Sequence, residues 1–333
     1  GKQLWKSGVT YAKPERSHRD NPFCSASPAT DGERIYVSFG SAGFACYDFD
    51  GAEVWKRDLG AIDHVWGNSS SPVLHGELCI HYHGPGKGGF LIAMNKLTGE
   101  TVWKVDEPDW DPGERTDGSR GRSSEGVIGS FSTPVLIEAG ERTELVMSFP
   151  MEIRSYDPAT GKERWRCAGL NPLVYTSPAY DNGIVVALGG YYGNSIGVKV
   201  GGEGDVTKSH RLWQEVRHKG GIGSGVTKDG YLYFQDAGGV AFCLDMKTGE
   251  TLWKERLPGK GKSWGSFVLS GDLIYTLSQP GDSVVFKADP KKFEVVAQSD
   301  LGEHTNSSIA VSDGDLFIRT YESLWCIGSA RAH

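Results

Sequence analysis

The sequence predicts an all-β fold, a seven-bladed β-propeller, from three observations. A motif that ends in tryptophan recurs along the chain, as in AMNKLTGETVWK, SYDPATGKERWR and CLDMKTGETLWK. Each copy follows short runs in which apolar and polar residues alternate, which is the period of a β-strand. No segment longer than about ten residues shows the 3.6-residue apolar period of a helix. Four-stranded units of about 40 to 60 residues, repeated around an axis, are typical of a propeller.

Each predicted unit has four elements in a fixed order. It begins with a segment of small residues, such as STPVLIEAG or TSPAYDNG, and continues with an alternating run such as RIYVSF. A third short run such as VAFCLD follows, and the tryptophan run comes last. Asp-Gly, Asn-Gly and Thr-Gly pairs between the runs predict tight turns. The predicted blades of this single domain, 1–333, cover approximately residues 25–58, 70–106, 131–168, 176–216, 222–257, 265–302 and 307–328.

The seventh unit lacks its last element. It ends at CIGSARAH without a tryptophan run, whereas the opening GKQLWK, residues 1–6, is such a run without the rest of its unit. We expect residues 1–6 to pair with the last blade, since this closes the ring without an unpaired strand edge. The alternative is a truncated eight-bladed propeller in which residues 1–6 remain from another blade. Seven blades account for every residue, and we prefer them.

Composition excludes two classes of function. The net charge is −7 and the basic residues are scattered, so the sequence offers no basic face for nucleic acid. No apolar run approaches the roughly 18 residues of a membrane span. Hydrophobic residues make up 38% and charged residues 23% of the chain, as in soluble globular proteins. The sequence has no starting Met and no signal peptide, so we interpret it as processed or shortened.

The cysteines do not form an evident disulfide framework. Cys46, Cys243 and Cys326 occupy one position of the repeat, and equivalent positions of different blades are too far apart to pair. We expect these three to be small buried hydrophobic residues. One disulfide between two of the remaining cysteines, Cys24, Cys79 and Cys167, is possible.

The A-x-D-x-x-T-G-x-x-x-W pattern resembles the pyrroloquinoline-quinone-like (PQQ-like) propeller repeats of quinoprotein alcohol dehydrogenases and of the outer-membrane assembly lipoprotein BamB. The likeness covers essentially the whole chain and is strongest in NKLTGETVW, DPATGKERW and DMKTGETLW. WD40 repeats fit poorly, because the one Trp-Asp pair, at Trp110, lies outside the repeats. The resemblance implies a girdle of tryptophans that dock on neighbouring repeats: Trp5, Trp55, Trp103, Trp165, Trp213 and Trp253. The sixth unit has Val295 or Val296 instead.

The resemblance implies two alternative functions. We expect a non-enzymatic, monomeric binding or scaffold module with no cofactor, which takes a protein partner or a small polar ligand. By the same resemblance we expect it to be exported to a bacterial periplasm. The alternative is a PQQ-dependent alcohol or sugar dehydrogenase with calcium. The chain lacks the Cys-Cys pair of many such enzymes and has seven predicted blades where they have eight.

Unusual residues concentrate in the connections between units and in the hairpins of the second and third strands. Both lie on one face of a propeller, around a central funnel, and a concave site rich in His, Trp and Tyr suits a small polar ligand or a peptide. The alternative is that these residues are simply the polar, solvent-exposed loops that any propeller has. The candidates for ligand binding are His18, His64, Trp66, His81, His83, Tyr191, Tyr192, His218, Asp236, Trp264 and His304.

Three local motifs have weaker functional interpretations. In LCIHYHG, strand alternation places Cys79, His81 and His83 on one face, where the two histidines could chelate a metal. Hydrogen-bonded structural histidines are the favoured interpretation, because no fourth ligand is evident. GNSIG resembles a nucleophile motif around Ser195, but a hairpin replaces the required strand-turn-helix. GPGKGG predicts a hairpin tip, since no helix follows to present its amides to a phosphate.

The longest connection, residues 106–130, is rich in Gly, Asp, Arg and Ser. Such a composition cannot bury a core, and long loops on compact scaffolds are often functional or disordered. We therefore consider it a lid or partner-contact loop, or a segment without fixed structure.

Overall fold

The computed structural model describes residues 1–23, 25–111, 127–190, 193–216, 220–259 and 261–328. It confirms the predicted all-β propeller with seven blades. In the described residues the helical content is one 3-10 turn, Gly40–Ala42. None of the described residues belongs to a helix long and apolar enough to cross a bilayer.

The first four blades follow the order predicted from the repeat. Blade 1 comprises β1 (Ala29–Thr30), β2 (Arg34–Ser38), β3 (Phe44–Asp48) and β4 (Glu53–Arg57). Blade 2 comprises β5 (Val73–His75), β6 (Leu78–His83), β7 (Phe90–Asn95) and β8 (Thr101–Asp106). A separate strand, β9 (Gly129–Ser130), precedes blade 3, which comprises β10 (Val135–Ala139), β11 (Arg142–Phe149), β12 (Glu152–Tyr156) and β13 (Glu163–Ala168). Strand β14 (Leu173–Val174) precedes blade 4, which comprises β15 (Ala179–Asp181), β16 (Ile184–Ala187), β17 (Ser195–Lys199) and β19 (Arg211–Glu215).

The last three blades complete the ring. Blade 5 comprises β20 (Val226–Lys228), β21 (Tyr231–Gln235), β22 (Val240–Asp245) and β23 (Thr251–Arg256). Blade 6 comprises β24 (Val268–Ser270), β25 (Leu273–Leu277), β26 (Asp282–Lys287) and β27 (Val295–Asp300). Blade 7 comprises β28 (Ala310–Ser312), β29 (Asp315–Arg319) and β30 (Leu324–Ile327).

The core lies between the blades, because successive side chains of a strand point to opposite faces of its sheet. In β6, Cys79 packs toward blade 1 against Tyr36. Its neighbours Ile80 and Tyr82 pack toward blade 3 against Leu145. The alternation predicted for LCIHYHG is therefore confirmed, and the strand serves two interfaces at once.

A hydroxyl side chain just before the first strand of each blade links that blade to the one before it. The backbone N–H of the equivalent residue in the preceding blade donates to this hydroxyl, at 2.9 to 3.2 Å. These bonds form six links within the described chain, between consecutive members of the series Ser27, Ser71, Thr133, Ser177, Ser224, Ser266 and Ser308. We call this series the hydroxyl ring.

Five tryptophans of the repeat tie their segment to the next blade, four of them from a fourth strand and Trp5 from the opening segment. Each donates its Nε1–H to a backbone carbonyl there, at 2.7 to 3.0 Å. Four of the indoles also cover a turn glycine, so closely that a Cβ on the glycine would lie 2.6 to 2.7 Å from the ring. The donor and acceptor pairs are Trp5 and Phe49, Trp55 and Lys96, Trp103 and Pro158, Trp213 and Met246, and Trp253 and Asp289.

Trp165 makes a different contact. Its Nε1–H donates to Oε2 of Glu144 at 2.7 Å, on its own blade, and both side chains are fully buried. Blade 4 replaces the turn that this indole would cover with a longer connection. That connection includes β18 (Gly204–Asp205), which pairs in parallel with β13 and covers the outer edge of blade 3.

Blade 6 also departs from the repeat. In the strand register, Ala297 lies opposite Val285, at the place where Trp253 lies opposite Cys243 in blade 5. The expectation that Val295 or Val296 replaces the tryptophan was therefore wrong by one or two residues. The connection between the third and fourth strands of blade 6 is longer: Ala297 follows Val285 by 12 positions (297 − 285), whereas Trp253 follows Cys243 by 10 (253 − 243).

The last blade differs from the prediction in its fourth strand. Its described residues form three strands, and residues 1–6 form none. Trp5 nevertheless packs on Gly51 of blade 1, and Oγ of Ser7 donates to the Gly51 carbonyl at 2.7 Å. The opening segment is thus held by contacts of Trp5 and Ser7, while Leu4 is 84% exposed and has no apolar surface that would fix a strand register.

The cysteines of the described chain are free thiols, so none of the disulfides among them forms. Cys46, Cys79, Cys167 and Cys243 are buried. Cys326, which was expected to be buried, is exposed, because β30 is an outer edge strand with no fourth strand over it. Cys24 lies outside the described residues.

Candidate functional site

Two short parallel strands place aromatic side chains next to each other in the connections that lead into blades 3 and 4. Strand β9 pairs with β14, and the N–H of Phe131 donates to the carbonyl of Val174 at 2.9 Å. Phe131 and Tyr175 each follow directly after one of these strands. Because parallel strands keep equivalent residues side by side, the two rings stack at a centroid distance of 5.8 Å and an angle of 17°.

The stack extends to blade 2. Trp66 lies over Tyr175 with ring centroids 6.5 Å apart and an angle of 22°. His64 meets Phe131 edge-on at 5.3 Å. Gly190, at φ +66°, approaches the ring of Tyr175 so closely that a Cβ would lie 2.3 Å from Cδ2. We call His64, Trp66, Phe131 and Tyr175 the aromatic cluster.

His64 is a neutral member of the aromatic cluster. Burial, opposed in part by the Asp63 carboxylate, lowers its pKa to about 4. Its Nδ1 accepts a hydrogen bond from the N–H of Trp66 at 3.2 Å, which places the proton of the neutral ring on Nε2. The cluster is thus uncharged at pH 7; Trp66 is half-buried at its edge, and the other three rings are buried.

Phe131 and Tyr175 were not among the candidates taken from the sequence. A positional signal could have found them, because each stands two residues before a hydroxyl of the hydroxyl ring. Trp264 and Asn306 hold the same position in blades 6 and 7, before Ser266 and Ser308. The residue two positions before the hydroxyl therefore varies from blade to blade, whereas the backbone around it is held by the same hydrogen bond in each blade.

A second group of candidates lies at the last two blades. His18 faces Trp264 with ring centroids 6.0 Å apart. His304 packs on Tyr321 at 5.0 Å. Asn306 lies between these pairs, since its Nδ2 donates to the carbonyl of Asp20 at 2.9 Å and to the Tyr321 hydroxyl at 3.2 Å. The structure therefore brings His18 to blade 6 and His304 to Tyr321, rather than all the histidines together.

His81 and His83 are buried between blades 1 and 2, at 2% and 3% exposure, and are separate from the aromatic cluster. Nε2 of His81 bonds to the Ser38 hydroxyl at 3.2 Å, and Nε2 of His83 to the Gly60 carbonyl at 3.0 Å. Burial lowers both pKa values, that of His81 to about 3. In the part of the chain that the structure describes, His, Cys, Asp and Glu side chains form no group of three that could hold a metal.

The remaining candidates do not join these groups. The Asp236 carboxylate caps its own hairpin, accepting from the N–H groups of Gly238 and Val240 at 2.8 and 3.0 Å. Ser195 is fully buried at the start of β17, and a strand follows it rather than a helix. Tyr191, Tyr192 and His218 lie outside the described residues.

The connection of residues 106–130 is described only at its ends, because residues 112–126 lie outside the described chain. At its start the Glu107 carboxylate accepts from the Tyr82 hydroxyl and from Nε1 of Trp110, both at 2.5 Å. Burial raises the pKa of Glu107. This end is therefore anchored between blades 2 and 3.

Comparison with known families gives one match. The family model described as outer membrane protein assembly factor BamB matches residues 1–168 and 150–292. No match was found among curated proteins.

Solved structures with the same fold are distant in sequence. BamB from Moraxella catarrhalis is 15% identical with a TM-score of 0.63, and the likeness covers 94% of this chain and 81% of that one. A europium-containing methanol dehydrogenase is 12% identical with a TM-score of 0.62, covering 87% and 72%. The quinohemoprotein alcohol dehydrogenase ADHIIG from Pseudomonas putida HK5 is 14% identical with a TM-score of 0.58, covering 93% of this chain and 65% of that one. At these identities the likeness shows the fold alone.

Proposed function

The chain belongs to the family of the outer membrane protein assembly factor BamB, and on that premise we propose that it is a non-enzymatic binding and scaffold module. Its ligand is a protein segment or a small polar ligand, which binds on the face that carries the connections between blades. We place the protein outside the cytoplasm, in a bacterial periplasm, as a monomer. The family's description supports a protein partner, since an assembly factor acts on other proteins.

The aromatic cluster is the observation that carries this proposal. Trp66, Tyr175 and Phe131 form a continuous stack of rings that starts at a half-buried indole. The half-buried indole is the part of the stack that a ligand can reach, and the buried rings of Phe131 and Tyr175 hold it rigidly. A rigid aromatic side chain offers apolar area at little entropic cost, which is why aromatic residues are frequent at the centres of binding surfaces. A short parallel sheet and Gly190 fix the stack before any ligand arrives.

A photo-crosslinking experiment in cells tests the proposal. Val65 is 41% exposed beside Trp66, and Val102 is 52% exposed on the outer strand β8. A photoreactive amino acid at position 65 should give discrete adducts in the source organism, and the same group at position 102 should not. The proposal is wrong if the two positions give the same adducts or if position 65 gives none.

The likeness to alcohol dehydrogenases supports a second candidate, a quinone-dependent dehydrogenase with calcium. Bound PQQ would supply the oxidant for an alcohol, and a divalent cation would hold it. Among the described residues, His, Cys, Asp and Glu side chains form no group of three that could hold such a cation. Purified protein incubated with PQQ and calcium tests this candidate: visible absorbance that stays with the protein, together with dye-linked alcohol oxidation, would replace the first proposal.

A further inference from the structure

A segment of the chain itself lies in a pocket built for a carboxylate. Oε1 of Glu15 accepts from Nδ2 of Asn68 at 2.7 Å and from the N–H of Ser41 at 3.3 Å. Asn68 is 8% exposed and Ser41 2% exposed, so the two donors are fixed by the fold. We call Gly40, Ser41 and Asn68 the carboxylate cradle, and residues 15–23 the strap.

The carboxylate cradle needs a glycine. Gly40 has φ +60°, and a Cβ at this position would lie 2.2 Å from Oε1 of Glu15 and 2.3 Å from Nδ2 of Asn68. The space that a side chain would fill is therefore the space that the carboxylate and the amide use. Glycine permits both the backbone conformation and the close approach.

The strap makes further polar contacts beyond the carboxylate cradle. Nδ2 of Asn21 donates to the carbonyls of Trp66 and Asn68 at 2.6 and 3.2 Å. Nδ2 of Asn306 on the last blade donates to the carbonyl of Asp20. The strap thus crosses the face next to the aromatic cluster as a peptide held by a carboxylate, an amide and one main-chain carbonyl.

The strap is attached by these polar contacts and by the ring contact of His18 with Trp264, and not by a core. Its residues form no strand or helix. Arg16 pairs with Asp63 at 3.1 Å, but the two side chains are 71% and 82% exposed, and such surface pairs contribute little. Segments with few buried apolar contacts are the ones that detach most easily from a folded protein, so the strap should open at a low free-energy cost.

We propose that the strap is an internal substitute for a partner, and that the carboxylate cradle binds an acidic side chain of an extended protein segment that displaces it. This inference rests on the proposed function, because it names the chemistry of the partner on the same face. The strap shows the form of the partner: a carboxylate that enters the cradle, followed by a side-chain amide that reaches the carbonyls of Trp66 and Asn68.

A labelled peptide with the sequence of the strap preceded by Pro14, PERSHRDNPF, tests the proposal by fluorescence anisotropy with the full chain. In the wild type the strap competes at the millimolar effective concentration of a tethered segment. The double variant Glu15→Ala/Asn21→Ala has no such competitor and should bind the peptide at least ten-fold more tightly. Adding Asn68→Asp, which sets a carboxylate against the incoming one, should remove that gain. Gly40→Ala, which fills the cradle, should do the same.

Controls separate this proposal from a loss of folding and from the proposed function. Circular dichroism and a thermal melt establish that each variant is folded. A peptide with Gln in place of its Glu should bind at least ten-fold more weakly to the double variant. The inference is overturned if the double variant binds no better than the wild type, or if Asn68→Asp leaves binding unchanged. Crosslinks from position 65 would then still support the proposed function.

Discussion

The backbone N–H of Ser177 donates to Oγ of Ser224 at 3.0 Å, which joins blade 4 to blade 5. The same bond links five further pairs of neighbouring blades along the described chain. Each of the five residues between Ser27 and Ser308 in the series donates its N–H to the next blade and accepts a hydrogen bond on its hydroxyl from the preceding one, so a single small polar residue per blade connects the seven blades in sequence.

Loss of one hydroxyl from this series should weaken the junction that it joins. Ser224→Ala leaves the N–H of Ser177 without its acceptor, and a partly buried donor without a partner costs about 1 to 3 kcal/mol. Ser224→Thr is the matched control, since Thr133 fills the same position in blade 3. Urea unfolding should show the loss for Ala and nearly wild-type stability for Thr. Equal losses for the two variants would mean that the hydroxyl bond is not the cause.

The turn glycines beneath the tryptophans should tolerate no side chain. Gly99, at φ +73°, lies under Trp55, and an added Cβ would be 2.7 Å from the indole. Gly99→Ala combines the strain of a positive φ, about 1 kcal/mol, with displacement of the ring, and should destabilise the protein by about 3 kcal/mol.

Gly76→Ala is the control for this substitution. Gly76 belongs to the same blade and has φ +55°, but nothing lies within 4 Å of its added Cβ. This variant should show the backbone strain alone, about 1 kcal/mol. The measurement is the urea midpoint of each variant, and similar shifts would contradict a role for the indole.

Trp5 should account for most of what residues 1–6 contribute to stability. Its indole covers Gly51 and its Nε1–H donates to the carbonyl of Phe49. Trp5→Ala should therefore lower the free energy of unfolding by about 1 to 2 kcal/mol, as should removal of residues 1–6. Leu4→Ala, at an 84% exposed position, should have no effect. A thermal melt compares Trp5→Ala, the protein without residues 1–6, and Leu4→Ala. An unchanged melting temperature for Trp5→Ala would show that Trp5 does not stabilise the closure of the ring.

Stability should depend on pH through His81. Burial holds its pKa at about 3 in the folded chain, against 6.5 when exposed, so the unfolded chain binds the additional proton. The stability that this histidine contributes is therefore fully present above pH 6.5 and is lost as the pH falls toward 3. Between pH 7.5 and 5.5 the wild type should lose about 1.4 kcal/mol more than His81→Gln, measured by urea unfolding. Parallel pH profiles would show that His81 does not titrate on unfolding.

The aromatic cluster shows how much of the site could be predicted from the sequence. His64 and Trp66 could be selected because they are unusual residues in a connection. Phe131 and Tyr175 could be marked only by their position two residues before a hydroxyl of the hydroxyl ring, and that position alone does not show that their rings meet. They belong to the site only because β9 and β14, two residues each, pair in parallel from positions more than forty residues apart. Such short strands carry too little pattern to be predicted.

The sequence by itself determined the repeat, and with it the all-β propeller and its seven blades. Local periodicity and turn residues specify each blade, and every blade repeats the same physical solution. Only the tertiary structure decided the exceptions. Glu144 in place of a carbonyl acceptor for Trp165, the register that puts Ala297 where a tryptophan is expected, and the Glu15 carboxylate between Ser41 and Asn68 all depend on neighbours distant along the chain. Contacts between residues that are distant along the chain depend on how neighbouring blades pack, and a local sequence pattern does not contain that information.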